Sequence, residues 1–516
     1  TPRNSEELRG TAHRRALAVL AFAVYPLALY SYTNAVSLTT AEGKPRATFF
    51  EDGHALLPAS EYLRGELPFR DIIPGHGLIE DGLFDYGVLL VGKPTYGATL
   101  RARFVAGCLN SVALYAIVFA ATASAEAAML AVLFGLSAGL ITPVIRPLAA
   151  AVTMIFLVLA ARTRQPRWLA WAGFFTVITG LMSFDYGAYT LATFLVATIR
   201  FRRAWKHAAL GLAAAVVPLF GAFAILGIVG NFFRATFREV LSLGPVWVLT
   251  MFTPPEAFTR SNGIPELLAA LLDREALPFV VWIFAAVVAG VTVTRRTGRR
   301  LEPLVLMSVW IVFGALSYAN RHHFYYTWLV PAFIVSGVWY LVRRRMALAP
   351  VAVLLAVMIA TPTTHLAITN WLRHTRGPLD PAWAELTTVP RARGALLHAD
   401  DRAVITSVQK YVSLALGPNE TFFDFTNRPV LYFLLRRDCP IRYYEVPYYE
   451  TEERQRAVIA TLEANRNVRA VLVPGPVGAY AFDGVTNRER APLVWAYLES
   501  HFQPDFAEGD VVFWRR

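Results

Sequence analysis

Long apolar runs separated by short polar turns fill the first 370 residues of the chain. Most runs approach the roughly 20 residues that a helix needs to cross a bilayer. The pattern therefore predicts about eleven membrane-spanning helices. They are placed near residues 16–38, 101–121, 124–143, 147–161, 168–183, 185–200, 207–229, 278–294, 302–319, 325–342 and 347–369. The three spans between residues 147 and 200 are short, so these are the ones expected to tilt or merge.

Clusters of arginine predict which side of the membrane each turn faces. The basic N-terminal segment leads into the first apolar run without a small-residue cleavage site, so this run is predicted to be a retained span with a cytoplasmic N-terminus. Counting spans from there places every short arginine cluster in a cytoplasmic turn, as the positive-inside rule requires. The clusters lie at residues 162–167, 200–206, 295–300 and 343–345. The same count exports residues 39–100, 231–277 and the tail from 370 to 516.

The composition of the chain changes after about residue 370. The tail lacks long apolar runs and predicts a small extracytoplasmic α/β domain over residues 371–516, distinct from a transmembrane module over residues 1–370 that carries the external loops 39–100 and 231–277. Short runs rich in β-branched and aromatic residues predict strands, and longer amphipathic stretches predict helices. The predicted strands are 421–425, 469–473 and 511–514, and the predicted helices are 451–465 and 488–501.

Composition and charge exclude several classes of protein. Of the 516 residues, 55% are hydrophobic and 17% are charged, against roughly 25% charged in an ordinary soluble domain. The net charge of +12 follows from the cytoplasmic turns, so it gives no support to a nucleic-acid partner. Cys108 lies in an apolar run and Cys439 in the polar tail, so no structural disulfide is predicted.

Missing motifs narrow the function further. The sequence contains no P-loop, no dinucleotide-binding glycine fingerprint, no G-x-S-x-G and no H-E-x-x-H, which argues against an ATP-driven pump or a nucleotide-dependent enzyme. The cytoplasmic turns are too short to hold a nucleotide-sugar domain. A donor for group transfer would therefore have to be reachable from outside, and a lipid-linked donor fits that constraint.

The first exported loop is dense in acidic residues, histidine, glycine and proline. Glu51 and Asp52 directly precede a predicted helix from about Ala55 to Leu63, which Gly65 closes. A carboxylate at a helix N-terminus stays ionised and fixed in place, so it can accept a proton from an acceptor hydroxyl. The alternative is that Asp52 only caps the helix, which is the commoner role of such a residue.

Further along the same loop, histidine and carboxylates recur. Histidine with several carboxylates could ligate a divalent cation, but the spacing matches no known metal motif, so a metal is left open. A solvated loop with helix caps and turn glycines is the alternative for Glu80, Asp81 and Asp85, and it is favoured for Asp85. His76, between two glycines in the sequence PGHG, is anchored by turn chemistry near the membrane surface.

Charged groups at the outer ends of the spans are the remaining candidates. Arg321, His322 and His323 form an outer turn, where a positive cluster runs against the positive-inside rule. A phosphate near the outer leaflet would explain it, because arginine offers a planar fork of donors; the alternative is ordinary contact with lipid headgroups. Arg146 begins the fourth span, and Asp185 lies between the fifth and sixth spans, where an acid is a functional candidate.

The loop sequences resemble those of the GT-C superfamily of integral membrane glycosyltransferases. The resemblance rests on the acidic pair soon after the first span, on ALLPASEYLRGELPFRD with PGHG, on RHH ahead of YTWLVPAF, and on ETFFDFTNRPVLYFLLRRDCP in the tail. In style the chain is closest to bacterial members related to the protein mannosyltransferase and aminoarabinose transferase group.

This resemblance implies an inverting transfer of a sugar from a polyprenyl-phosphate donor to a hydroxyl group of a glycan, lipid or protein on the extracytoplasmic face of a bacterial-type inner (plasma) membrane. It implies a catalytic acid at Asp52, with Glu51 as the second candidate, because the family's pair is commonly Asp then Glu and the order is reversed here. The residues that it implies for donor-phosphate binding are Arg321, His322 and His323, and Arg146 at the outer end of the fourth span is a further candidate for that role. Asp71, His76 and Asp185 would then orient the sugar or acceptor, and His54 and Arg70 of the same loop as Asp71 are further candidates for this role.

Two other functions stay open at this stage. One is a transporter or flippase of a lipid-linked solute, which inverted repeats or discontinuous helices would favour. The other is a noncatalytic membrane subunit that binds a partner through the tail, where the stretch RRDCPIRYYEVPYYETEER could contact carbohydrate or protein. The alternative for that stretch is a solvated surface.

Overall fold

The computed structural model describes residues 20–30, 45–49, 51–137, 144–240, 263–266, 280–286, 301–321, 324–342, 381–475 and 484–516. The α-helices in these ranges, in chain order, are α1 (Gly53–Tyr62), α2 (Phe84–Val91), α3 (Tyr96–Thr122), α4 (Ala125–Ser137), α5 (Pro147–Thr163), α6 (Pro166–Met182), α7 (Phe184–Arg200), α8 (Trp205–Ile225), α9 (Val229–Phe233), α10 (Glu302–Arg321), α11 (Val330–Val342), α12 (Ala399–Ala415), α13 (Val430–Leu435), α14 (Glu452–Ala464), α15 (Asn487–Arg490) and α16 (Pro492–His501). The strands are β1 (Trp383–Ala384), β2 (Leu397–His398), β3 (Thr421–Asp424), β4 (Val468–Pro474), β5 (Gln503–Glu508) and β6 (Val511–Arg515).

Two helical segments of the described residues, Tyr96–Thr122 and Arg202–Ile225, are long and apolar enough to cross a membrane. They coincide with the spans predicted near 101–121 and 207–229. Shorter apolar helices cover parts of other predicted spans, among them Pro147–Thr163, Glu302–Ala315 and Val330–Tyr340. The span predicted at 347–369 lies outside the described residues. The total of about eleven therefore stays a prediction.

The three short spans predicted between residues 147 and 200 are separate helices. Pro147 and Pro166 stand at the first turns of α5 and α6, where the fixed φ of proline suits a helix start and the missing N–H has no helical partner to lose. Arg164 ends α5 in the left-handed conformation, with φ of 59°, and so breaks the chain away from the helix axis. These local signals keep α5 and α6 from merging.

Contacts divide the chain into two compact units, and the first comprises Thr1–Ser37, Arg103–Leu219 and Val248–Gly377. Its described part is a helical bundle in which α5 packs on α6, α6 on α7, α10 on both α5 and α7, and α4 on α11. The core is rich in large buried side chains such as Phe134, Phe194 and Trp310. On α7 the opposite face exposes Leu191, Leu195 and Ile199 at four-residue spacing, which gives the bundle an apolar outer stripe.

At one end of this bundle, arginines from two of the predicted cytoplasmic turns lie close to Glu302. Glu302, at the start of α10, is buried, and its Oε2 lies 2.6 Å from Nη2 of Arg164. Its Oε1 lies 3.5 Å from Nη2 of Arg200. A buried carboxylate is stabilised when cations and hydrogen bonds surround it. The two arginine-rich turns and the start of α10 are therefore at the same end of the bundle, as the count of spans predicts.

The second unit comprises Leu38–Ala102, Phe220–Trp247 and Pro378–Arg516. Its main sheet has the order β3-β4-β6-β5, with β3 parallel to β4 and the other neighbours antiparallel. The strands predicted at 421–425, 469–473 and 511–514 are confirmed as β3, β4 and β6, and the helix predicted at 451–465 is confirmed as α14. All four residues of β3 are buried although it is an edge strand of the sheet, and Phe422 and Phe423 belong to the hydrophobic core.

The helix predicted over residues 488–501 is instead two helices, α15 and α16. Ala491 lies between them with φ of −129° and ψ of 63°, outside the helical region. The break follows from Pro492, which disfavours a helical conformation in the residue before it and itself begins α16. A single helix over this range was therefore a wrong prediction.

The first loop predicted to be exported shares one hydrophobic core with the tail. Leu396 donates its N–H to Pro45 O at 2.8 Å and accepts from Ala47 N at 2.9 Å. Leu56 and Leu57 of α1 are fully buried in the same cluster as residues of β3 and α13. The sequence divides loop and tail near residue 370, whereas the contacts group residues 38–102 with residues 378–516.

Candidate active site

Asp52, the first-ranked catalytic acid, is buried at the start of α1. Its side chain makes no capping hydrogen bond, so the capping alternative is wrong. Instead, Oδ2 accepts from the backbone N–H of Thr48 at 2.9 Å and from the hydroxyl of Tyr96 at 2.6 Å. The carboxylate therefore fastens the segment before α1 to the start of α3. Its neighbour Glu51 is exposed.

The sequence suggested a solvated loop for the acids of the following turn, but two of them, Asp81 and Asp85, are buried. Asp81 and Asp85 are each 1% exposed. The cause lies at Gly82, whose φ of 120° opens a left-handed turn, and whose missing side chain leaves room for α1: a Cβ there would lie 2.7 Å from Cβ of Pro58. Because only glycine allows this close approach, the turn folds against α1 and carries both acids inward.

His76 and Asp81 form a hydrogen-bonded pair. Oδ2 of Asp81 accepts from the backbone N–H of His76 at 2.6 Å, and Oδ1 lies 3.1 Å from Nδ1 of the His76 ring. Burial alone would raise the pKa of Asp81, but the charge of His76 and its hydrogen bonds outweigh burial and lower the pKa. An ionised Asp81 holds the proton on Nδ1 of His76 and so orients the ring, which is 30% exposed.

His54, on the first turn of α1, lies next to this pair and is buried. The ring centroids of His54 and His76 are 5.2 Å apart. Nε2 of His54 lies 3.2 Å from Oε1 of Glu445, and Nδ1 lies 3.4 Å from the hydroxyl of Tyr448. The first exported loop and the tail therefore both contribute side chains to one cluster, which we call the histidine cluster: Glu51, His54, His76, Asp81, Glu445 and Tyr448.

Glu445 is the member of this cluster that the sequence did not single out. It is 1% exposed, and neither carboxyl oxygen has a hydrogen-bond partner in the described part of the chain, although His54 is close. Burial raises the pKa of Glu445 well above its usual value, and the nearby charges of Glu51 and Asp81 raise it further. Burial and the neighbouring negative charges therefore both favour the protonated form of this carboxyl group.

A network of amides holds the backbone beside Glu445. Asn427, with φ of 58°, accepts from Val446 N at 2.8 Å through Oδ1 and donates through Nδ2 to Oδ1 of Asn487 at 2.8 Å. Asp424 closes the preceding turn by accepting from the N–H of Arg428 at 2.6 Å. The sequence signal for this network is the D-x-T-N-R stretch after β3, since Asp and Asn favour such turns.

Tyr448 approaches the PGHG turn at Gly75. A Cβ on Gly75 would lie 2.2 Å from the Tyr448 hydroxyl and 2.6 Å from its Cζ. We expect Gly75→Ala to lower the free energy of unfolding by about 1–3 kcal/mol, because the side chain or the turn must move. Gly87→Ala is the matched control, since nothing lies within 4 Å of that position in α2 and alanine favours a helix. Equal stability of the two variants in chemical denaturation would contradict this packing.

The tyrosine-rich stretch of the tail is core and is not a contact surface. Tyr444, Tyr448 and Tyr449 are each at most 2% exposed. Both surface readings of this stretch are therefore wrong for these tyrosines. Their large rings fill the space between the tail and the first exported loop, where burial of aromatic area is most favourable.

Two other predicted residues come together in the helical bundle. Oδ2 of Asp185 accepts from the hydroxyl of Tyr326 at 2.5 Å and lies 4.0 Å from Nη1 of Arg146. Oδ1 of Asp185 accepts from the hydroxyl of Ser183 and from Tyr186 N. Arg321 is the last residue of α10, while His322 and His323 lie outside the described residues.

Arg70 and Asp71 pair with each other. Nη2 of Arg70 lies 2.7 Å from Oδ2 of Asp71, which also accepts from Leu67 N at 2.8 Å. Their observed role is to close a turn. Within the part of the chain that the structure describes, no three His, Cys, Asp or Glu side chains are arranged to hold a metal ion.

Comparisons with known proteins give a fold. The sequence matches no family model and no curated protein. Among solved structures, ArnT from Cupriavidus metallidurans bound to undecaprenyl phosphate superposes with a TM-score of 0.52 at 13% identity, over 97% of this chain and 98% of that chain. The oligosaccharyltransferase of Archaeoglobus fulgidus, tethered to an acceptor peptide containing the NVT sequon, gives a TM-score of 0.46 at 11% identity, over 96% of this chain and 74% of that chain. This chain therefore shares the fold of ArnT.

Proposed function

We propose that the chain is an inverting glycosyltransferase that moves a sugar from a polyprenyl-phosphate donor to an acceptor hydroxyl on the extracytoplasmic face of a membrane. The observation that carries the proposal is the histidine cluster, in a chain with the fold of ArnT. An exposed acid, Glu51, places its charge near Glu445 and Tyr448, and the oriented pair of His76 and Asp81 lies beside His54. An acid and an oriented imidazole are what proton removal from a hydroxyl requires.

In this mechanism the acceptor oxygen attacks the anomeric carbon of the sugar from the face opposite the phosphate. The bond between that carbon and the phosphate oxygen breaks as the new bond forms, so the configuration inverts. The acceptor proton passes to the base, and the lipid phosphate leaves with the electron pair. Fixed cations stabilise that leaving charge, and Arg146, Arg321, His322 and His323 are proposed for this role.

The geometry favours Glu51 over Asp52 as the base. Two donors, Thr48 N and the Tyr96 hydroxyl, already occupy Oδ2 of Asp52, and the side chain is buried. Glu51 is exposed and adds its charge to the environment of Glu445. We therefore reverse the order of the two candidates that the family pattern implies, with Asp52 as the residue that fixes the start of α1. His54, His76 and Asp185 stay proposed as residues that orient the substrates.

The lipid class of the donor rests on two observations. ArnT was solved with undecaprenyl phosphate, and this chain shares its fold. In addition, the bundle presents an apolar outer stripe on α7 and contains two helical segments suited to a bilayer. An inner-membrane location with a cytoplasmic N-terminus and an exported tail completes the proposal.

The test is transfer by the purified full chain in lipid nanodiscs. With a set of polyprenyl-phosphate sugars and candidate acceptors, we expect protein-dependent release of polyprenyl phosphate and a product of inverted anomeric configuration. Arg146→Ala should weaken donor binding by about 10–100-fold, because it removes a charged donor to the phosphate. Arg456→Ala, in an exposed pair with Glu452, is the control. No release with any donor, or unchanged donor affinity of Arg146→Ala, would contradict the transfer or the phosphate assignment respectively.

A further inference from the structure

We propose that Glu445 is a positioning residue for the transfer reaction: as a neutral carboxylic acid it binds Nε2 of His54 and thereby holds the first turn of α1 and the candidate base Glu51. The inference rests on the proposed function. It assigns to the tail a direct part in shaping the site on the first exported loop.

The surroundings of the two Glu445 carboxyl oxygens favour a protonated carboxyl group. Both are buried, neither has a hydrogen-bond partner among the described residues, and Nε2 of His54 lies 3.2 Å from Oε1. A buried carboxylate without donors is strongly disfavoured. A protonated carboxyl group carries its own donor and can direct it at Nε2 of His54. Nδ1 of that ring then keeps its hydrogen, which faces the Tyr448 hydroxyl at 3.4 Å.

Neighbouring carboxyl groups also disfavour a negative charge on Glu445. The groups that face Glu445 are Glu51 before α1, His54 on α1, Asp81 in the turn before α2, Asp424 at the end of β3, and Tyr444, Tyr448 and Tyr449 in its own segment. Three of these are carboxyl groups, and the Nδ1 proton of the other histidine, His76, is bound to Asp81. Another negative charge here would repel Glu51 and Asp81, and this agrees with the raised pKa of Glu445.

The His54 ring belongs to the same turn as the candidate base Glu51. His54 is the second residue of α1, and Glu51 lies only three residues before it. The Tyr444 hydroxyl also donates to the backbone oxygen of His54 at 3.4 Å. A hydrogen bond to the His54 ring therefore acts on the same turn that presents the base. When Glu445 ionises as the pH rises through its raised pKa, the bond to Nε2 loses its proton and the repulsion of Glu51 increases.

The test compares wild type with Glu445→Gln, which keeps the shape and the neutral charge of the protonated acid. In the nanodisc transfer assay between pH 6 and pH 10, we expect wild type to lose activity at alkaline pH and Glu445→Gln to keep near wild-type activity at pH 7 without that loss. The transfer activity of Glu445→Ala should be about tenfold lower at every pH, as expected for one lost hydrogen bond. Glu508→Gln, which removes an exposed acid paired with Lys410, should follow wild type throughout.

A second measurement is independent of transfer. Because the pKa of Glu445 is raised in the folded protein, the folded state keeps a proton that the unfolded chain releases above about pH 4.3. Wild-type stability should therefore fall as pH rises from there towards the folded pKa, and Glu445→Gln should lack this contribution. The difference in Tm between the two proteins should grow from pH 5 to pH 8 in favour of the variant.

Several results would overturn the proposal. A folded Glu445→Gln variant that is inactive at pH 7 would mean that the ionised carboxylate is needed. The same alkaline loss in wild type and variant, or a Tm difference that does not change with pH, would mean that Glu445 does not hold a proton. If wild type transfers no sugar, the proposed function fails, and the Tm comparison still decides the state of Glu445.

Discussion

Glu51→Gln is expected to lower the rate of sugar transfer by about 10²–10⁴-fold while leaving the Tm unchanged. The factor is the usual contribution of a positioned general base. Stability should not change because Glu51 is exposed at the edge of α1. The measurement is a steady-state rate with a fixed lipid donor, together with thermal unfolding of the same preparation. Full activity of the variant would remove Glu51 from the mechanism.

Asp52→Asn is the matched comparison, one residue away. It should lower the free energy of unfolding by about 1–3 kcal/mol, because the buried carboxylate is the acceptor for both Thr48 N and the Tyr96 hydroxyl. Part of the activity should survive in the folded fraction. Loss of all activity with an unchanged Tm would instead make Asp52 the base, as the order of the family's acidic pair implies.

Asp81→Asn should cost about 1–3 kcal/mol of stability at pH 7, the range for disrupting the hydrogen bonds of a buried polar group. The variant should also lose transfer activity, because the His76 ring is no longer held with its proton on Nδ1. The pKa of Asp81 is lowered in the folded protein. Its contribution to stability is therefore present above the unfolded value of about 3.9 and is lost as pH falls through the folded pKa.

The measurement is chemical denaturation in detergent at pH 7 and at lower pH, where the difference between wild type and Asp81→Asn should shrink. Asp71→Asn is the control, since Asp71 pairs with a half-exposed Arg70 and such pairs contribute about 0–1 kcal/mol. Equal losses in the two variants would show that burial of Asp81 does not govern its contribution.

Most of the secondary structure that could be predicted followed from the residues within each element and from the turn residues beside it. Strands β3, β4 and β6 were recognisable because β-branched and aromatic residues cluster there between turn residues. Pro147 and Pro166 fixed helix starts in the same local way. Pro492 gave the same kind of signal, and the single helix predicted across it shows that one breaker within an otherwise periodic stretch is easily underweighted.

The sequence predicted some residues of the candidate site and missed others. The acidic pair and His76 could be identified because glycines, acids and a histidine are unusual between two apolar runs. Glu445 could not, because its burial depends on contact with α1, which lies almost 400 residues earlier in the chain. Asp81 was misread for a related reason: the close approach of its turn to α1 depends on the positive φ of Gly82, which sequence alone shows only as a glycine.

The shared core of the first loop and the tail has a consequence during synthesis. Roughly 280 residues separate the end of the loop segment from the start of the tail segment, and at about 5–20 residues per second this length takes on the order of 15–60 s to make. Throughout that interval α1 and the PGHG turn exist without β3, α13 or the buried tyrosines that cover them. The loop is thus a long-lived unfinished surface on the nascent chain, and its apolar side chains must be kept from other partners until the tail arrives.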